Sequence, residues 1–268
     1  MNNDKNNSKN EALYFQVMYS RRNWISELFL QIFFAVSSRP RMLLETPIRR
    51  NMGERYFNFS SALFLAFVLA VYPILKEKFY LFTRLGGYDV EFSMANFIMH
   101  YFTWYIYIAV FVYSAFQRYN EVRHLPGVFD FARFSLSNGY IHPFFRSLII
   151  NGERADRRTI ETVLEPGLFF LGGLVLWIFG QSIGLLLLIC SIFYSLSYIS
   201  AYQQADHVIM DKIDAAIVNE ELGRTIIEGR EIEETRGFSF MGRRPADPTL
   251  QRQMVAVLTG QDETFALV

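Results

Sequence analysis

The stretch Pro166–Tyr202, PGLFFLGGLVLWIFGQSIGLLLLICSIFYSLSYISAY, decides the fold class, because it contains no Asp, Glu, Lys, Arg or His. A membrane-crossing helix needs about 20 apolar residues, so this run is too long for one crossing and suits two. Gly180-Gln181-Ser182-Ile183-Gly184 marks the break between them. The stretch reads as a transmembrane helical hairpin. Gly180 and Gly184 formally match a small-xxx-small packing pattern, but the expected hairpin turn gives these glycines a reason of its own. Ser191, Ser195 and Ser197 are placed to hydrogen-bond across helices.

Toward the N-terminus lie two further apolar runs. Phe57–Leu75, FNFSSALFLAFVLAVYPIL, is long enough to cross, with Pro73 bending or finishing it. Lys76-Glu77-Lys78 then signals water, and residues 76–96 read as a short loop turning at Gly86-Gly87. Phe97–Phe116, FIMHYFTWYIYIAVFVYSAF, carries many polar tips. His100 and Trp104 share a face with Tyr107 nearby, and such a face usually points into a helix bundle.

The expected architecture is therefore an all-α integral membrane protein: four transmembrane helices, an N-terminal interfacial amphipathic helix and a cytoplasmic C-terminal helix. Residues 1–12 are polar and Asn-rich and have nothing to bury. Residues 13–56 hold the interfacial helix and a basic connector. In that helix Ile25, Leu28, Phe29, Ile32, Phe33 and Val36 fall at helical spacing opposite Glu27 and Gln31. Pro40 is expected to end it, and Arg39, Arg41, Arg49, Arg50 and Arg55 follow as topogenic charge or as a site for anionic lipid headgroups. Residues 57–116 form the first transmembrane pair, 117–165 a juxtamembrane loop, 166–202 the hairpin, and 203–268 a helix and a flexible tail. Thr159–Leu164 reads as a short helix leading into the hairpin.

Composition agrees. Hydrophobic residues make up 51% of the 268, and Phe and Tyr alone number 27 and 15, as suits a membrane chain with aromatic interfaces. A net charge of +0 argues against nucleic acid as a partner. One cysteine, Cys190, excludes an internal disulfide and a cysteine metal cluster. No cleavable signal peptide and no lipid anchor are expected. Of the 26 Lys and Arg, 23 fall in the three regions that four crossings place on one side. The positive-inside rule makes that side the cytoplasm, with both termini in it, and the membrane reads as a bacterial inner membrane.

Chemistry is sparse. No phosphate-binding loop, dinucleotide fingerprint or HExxH is present, and no cofactor is expected. Gly180–Gly184 spells GxSxG, but a nucleophile elbow needs a strand before its serine, and here two membrane spans flank it. A Ser182–His100 pair at the outer face is compatible with the topology. His207, Asp211 and Asp214, at i, i+4 and i+7 on one helix face, form a weak metal-binding candidate, against the plainer reading of a solvated face. His124 and His142 flank a turn-rich segment with Asp130 and Arg133 between them.

Past Tyr202, Ile209, Ile213 and Ile217 continue the helical period into an apolar stripe that needs a partner. Asp247-Pro248 resembles a helix start, after which Leu250, Met254 and Leu258 share a face. That helix either docks on another protein or folds back on its own. These features lead to the expectation of a non-catalytic integral membrane subunit or scaffold of a larger assembly, such as a secretion or conjugation apparatus. Its partners would be membrane lipid, cytoplasmic protein subunits and a possible second copy. The alternative is a membrane-embedded enzyme or permease with a histidine-containing site.

Overall fold

A computed structural model describes residues 24–83, 94–123, 134–150, 152–239 and 241–258. The chain is mostly helical (77%). Four helices are long and apolar enough to cross a membrane: Phe59–Glu77, Phe97–Val122, Arg157–Ile178 and Ser182–Glu228. The elements run α1 (Trp24–Ile48), α2 (Phe59–Thr83), α3 (Met94–Arg123), a short α4 (Pro143–Arg146), strands β1 (Ile149–Ile150) and β2 (Glu153–Arg154), and α5 (Arg157–Thr159). A π-helical turn (Ile160–Leu164) leads into α6 (Glu165–Ile178), then α7 (Ser182–Gly223), a second π-helical turn (Arg224–Glu228), a 3-10 turn (Ile232–Glu234) and α8 (Pro248–Leu258). β1 and β2 pair antiparallel, with Ile149 opposite Arg154. The described residues divide into two compact units, one within 27–202 and one formed mainly by 203–258, and the division falls within α7.

In the unit of residues 27–202 an apolar core that includes Leu44, Phe111 and Ile183 is buried, but the outside is apolar too, unlike that of a water-soluble bundle. Phe64, Phe67, Leu171, Ile178, Leu185 and Ile192 are exposed, whereas Tyr101, Tyr194, Ser191 and Ser197 are buried. Hydrocarbon accepts apolar side chains but offers hydroxyls nothing, so the polar groups must pair inside. Cys190 is buried in the same core. On α3, Tyr101 and Trp104 are buried, as the aromatic face requires, but His100 is exposed.

The expectation that Pro40 ends the first helix is corrected, and Pro73 does not finish the second. α1 runs through Pro40 and Pro47 to Ile48, and α2 through Pro73 to Thr83. A proline lacks the N–H that its helix would donate to the carbonyl four residues back. Pro47 thus orphans Leu43, Pro73 orphans Leu69, and Pro166 orphans Thr162. Each of these carbonyls accepts a side-chain donor from another helix. Tyr107 Oη–H donates to Leu43 O at 2.9 Å, Trp104 Nε1–H to Leu69 O at 2.8 Å, and Ser195 Oγ–H to Thr162 O at 2.6 Å. A helix can keep an internal proline when a neighbour re-satisfies the freed group.

Two boundaries shift accordingly. α2 passes beyond Lys76-Glu77-Lys78, so the turn around Gly86-Gly87 lies outside the described residues. The third apolar helix begins at Arg157 rather than Pro166 and brings Glu161 and Glu165 with it, so the crossing helices are not free of charge. The hairpin turn itself is close to expectation. Gly180 has a left-handed φ of 73° and α7 starts at Ser182. Gly184 is not a turn residue: a Cβ there would lie 2.4 Å from Trp177 N and 2.5 Å from Gly173 O, so α6 and α7 touch backbone to backbone through Gly173 and Gly184.

In the unit of residues 203–268, Leu222, Ile226 and Phe238 are buried together, and Val218, Met254 and Val255 pack on them. Asp247 caps α8 by accepting from the Thr249 N–H at 2.9 Å. Met254 thus folds back on its own unit, whereas Leu250 is exposed. The side chain of Leu258 lies outside the described residues.

Trp104→Phe removes the donor to Leu69 O and should cost roughly 1–3 kcal/mol, the penalty for an unmet buried acceptor. In a Pro73→Ala background the new alanine supplies its own backbone N–H, and the same Trp104 substitution should cost less. A double-mutant cycle by unfolding in detergent measures the difference; equal costs in both backgrounds would remove the carbonyl account.

Candidate functional site

Three helical stripes, each at a spacing of four, converge inside the bundle. Arg41, Glu45 and Arg49 come from α1 and the residue just after it; the Arg49 N–H still bonds Glu45 O at 2.8 Å, so the helical register holds. Glu161 and Glu165 come from the π-helical turn and the start of α6, where the Glu165 N–H bonds Ile160 O five residues back. Tyr194, Tyr198 and Tyr202 come from α7.

Arg49 is the hub, with 0% of its surface exposed. Its Nε donates to Glu165 Oε2 at 3.1 Å, and its Nη2 forms a short contact with the same oxygen. Nη1 donates to Tyr198 Oη at 2.6 Å and lies 3.3 Å from Glu161 Oε1. Tyr198 Oη–H in turn donates to Glu45 Oε1 at 2.7 Å. Arg41 reaches Glu45 Oε1 at 3.3 Å and Ser197 Oγ at 2.8 Å, and stacks on the Tyr198 ring at 4.2 Å. Tyr202 Oη–H bonds Glu161. Asn138 bridges from the middle segment to Glu161 Oε1 (3.1 Å) and Tyr198 Oη (2.9 Å).

The charges balance. Arg41, Arg49 and Arg157 face Glu45, Glu161 and Glu165, with Arg157 Nε at 3.2 Å from Glu161 Oε1 on the rim. Burial works against the charge on Arg49, but Coulombic interaction with Tyr194, Tyr198, Glu45 and Glu165 outweighs it and holds the guanidinium above the ordinary arginine range. Burial, followed by the charge of Glu45, raises Tyr56, which stays protonated and donates to Glu45 Oε2 at 2.5 Å. Desolvating each ion costs several kcal/mol, which only a nearly complete set of partners offsets. Glu165 Oε1 is the one cluster oxygen without a described partner.

Arg41 and Arg49 are therefore paired inside the bundle and do not face lipid headgroups. Their spacing of four with Glu45 was visible in the chain. The acidic partners of Arg49 in the π-helical turn and at the start of α6, Glu161 and Glu165, were not; Glu165 lies 116 residues from it.

A second arrangement sits at the hairpin turn. Ser182 Oγ lies 2.8 Å from His100 Nε2, and Thr103 Oγ1–H donates to Gln181 Oε1 at 2.7 Å, tying the turn to α3. Beside it Tyr101 Oη–H donates to Glu77 Oε1 at 3.2 Å. With its proton on Nδ1, His100 accepts from the serine hydroxyl. Helices, not a strand, flank the GxSxG segment.

The remaining candidates are dispersed. His207, Asp211 and Asp214 lie exposed on α7, and among the described residues no group of three or more His, Cys, Asp or Glu is placed to hold a metal ion. Ile209 and Ile213 are exposed and Ile217 is half-buried. His142 caps α4, its Nδ1 accepting from the Phe144 N–H at 3.3 Å. His124, Asp130 and Arg133 lie outside the described residues. No protein-family model, curated protein or solved structure matches the chain.

Arg49→Met strands two buried carboxylates and should destabilise the protein by about 3–5 kcal/mol. Arg157→Gln, at a side chain 60% exposed, should cost under about 1 kcal/mol. Unfolding midpoints in one detergent compare them; similar costs would mean that Arg49 is not the hub.

Proposed function

We propose that the protein is a non-catalytic integral membrane subunit or scaffold of a larger assembly, of the kind a secretion or conjugation apparatus uses, holding protein partners on the cytoplasmic side of a bacterial inner membrane. The observation that carries this reading is the second half of α7. Val208, Ile209, Met210 and Ile213 are exposed there, beside His207 and the charged Asp206, Asp211, Lys212 and Asp214. Exposed apolar residues in a segment this charged mark a protein contact better than a lipid one. The basic residues concentrated on one side of the four crossings support the cytoplasmic placement. The large polar cluster favours the same reading, because its acids and bases are committed to one another.

One observation favours an enzyme instead, the 2.8 Å contact of Ser182 with His100. In that reading Ser182 Oγ attacks an acyl carbonyl and its proton passes to His100 Nε2. The bond to the leaving group breaks, the leaving group takes that proton, and water then frees the acyl chain.

Ile209→Ser with Ile213→Ser should leave membrane insertion intact and shift the complex extracted in mild detergent to a smaller size by native electrophoresis. An unchanged size would count against the subunit reading. For the enzyme reading, a fluorophosphonate probe should label the purified protein and spare Ser182→Ala and His100→Ala; no labelling of the wild type would sink it.

A further inference from the structure

The basic connector divides into two fates. Arg41 and Arg49 turn inward to glutamates. Arg50 does not. It is exposed, and no described residue forms an ion pair with it. It lines a cavity of about 430 Å³ together with Arg146 and His142. Arg146, in the last turn of α4, is exposed and also without an ion pair among the described residues. The cavity's other walls are apolar, chiefly Ile48, Tyr140 and Pro143.

We propose that this cavity binds the phosphate headgroup of an anionic phospholipid. The inference rests on the membrane placement of the chain and not on the subunit reading. Two guanidinium groups with no described acidic partner offer planar donors of the kind that phosphate oxygens accept. His142, whose Nδ1 accepts from the Phe144 N–H at 3.3 Å, adds a polar ring to the lining.

The site is held in shape by backbone bonds. The Tyr140 N–H donates to Arg50 O at 2.8 Å and the Gly53 N–H to Ser137 O at 2.8 Å. Asn51 takes a left-handed φ of 55°, and its N–H donates to Glu121 Oε2 at 2.9 Å. Gly53 permits the approach, since a Cβ there would sit 2.2 Å from Ser135 O. Location favours a lipid over a soluble phosphate. Arg50 stands nine residues before the first crossing helix begins at Phe59. Phe134, Tyr140, Phe144 and Ile149, on the segment that forms the cavity's far wall, are exposed apolar side chains of the kind that lie among headgroups and upper acyl chains.

The test is a titration of the full chain in neutral detergent, read by native mass spectrometry, with phosphatidylglycerol, phosphatidylcholine and free glycerol phosphate as probes. Phosphatidylglycerol should be retained in preference to phosphatidylcholine. Arg50→Gln and Arg146→Gln should each weaken it about fivefold, the effect of one basic residue at a lipid surface. The charge-matched pair Arg39→Gln and Arg55→Gln, at exposed connector arginines that do not line the cavity, should leave it unchanged. Because Arg146 is an exposed side chain on a short helix, its variant keeps the test open if Arg50→Gln does not fold. Equal retention of the two lipids, or full binding by both cavity variants, would overturn the site. An equal loss in the control pair would replace it with diffuse surface attraction. Glycerol phosphate binding as tightly as the lipid would reassign the cavity to a soluble phosphate.

Discussion

A buried polar group needs a partner, and the crossing unit is arranged around that need. Prolines at 47, 73 and 166 each free a backbone carbonyl inside a helix, and each carbonyl receives a side-chain donor from another helix. These bonds do two jobs. They let long apolar helices keep their prolines, and they fix which helices are neighbours. Tyr107 joins α3 to α1, Trp104 joins α3 to α2, and Ser195 joins α7 to the turn before α6. Apolar packing alone would not select these neighbours, since lipid tails match an apolar surface as well as another helix does.

The Arg49 cluster obeys the same constraint with charges. Three acids and three bases are drawn together from α1 and the residue after it, α5, the turn before α6 and the start of α6, with tyrosines of α7 threaded between them. Such a network adds little net stability over an apolar core, but it penalises every wrong arrangement that leaves one ion alone. It also sorts the connector arginines. Those matched by glutamates turn inward, and Arg50, which forms no ion pair among the described residues, is left facing a cavity.

Much of the fold was legible in local pattern. An unbroken apolar run, its length and its glycine break predicted the turn between α6 and α7 to within a few residues, and the Asp247-Pro248 signal placed the start of α8. Proline was misjudged. The local rule says that it ends a helix, but the rule holds only where nothing replaces the lost bond, and Trp104 lies 35 residues from Leu69. The candidate site was less legible. Arg41, Glu45 and Arg49 showed their spacing of four, yet a basic connector between spans has an ordinary topogenic explanation. Glu161, in the expected short helix Thr159–Leu164, and Glu165 after it were left outside the crossing because the apolar run was counted from Pro166. Ser182 and His100 were recognisable as a possible pair, though 82 residues separate them and only the turn geometry brings them to 2.8 Å.

The sequence by itself determined the number of long apolar helices, because length and hydropathy are properties of a contiguous segment and the membrane criterion reads nothing else. It also determined the caps and the hairpin break, which depend on residues within one turn of each other. The tertiary structure alone decided which polar groups meet. Arg41 finds Ser197 across 156 residues of chain, and no local rule specifies a partner at that distance. Whether an arginine ends up as a buried hub, as Arg49 does, or at a cavity, as Arg50 does, depends on which carboxylates the packed helices bring within reach.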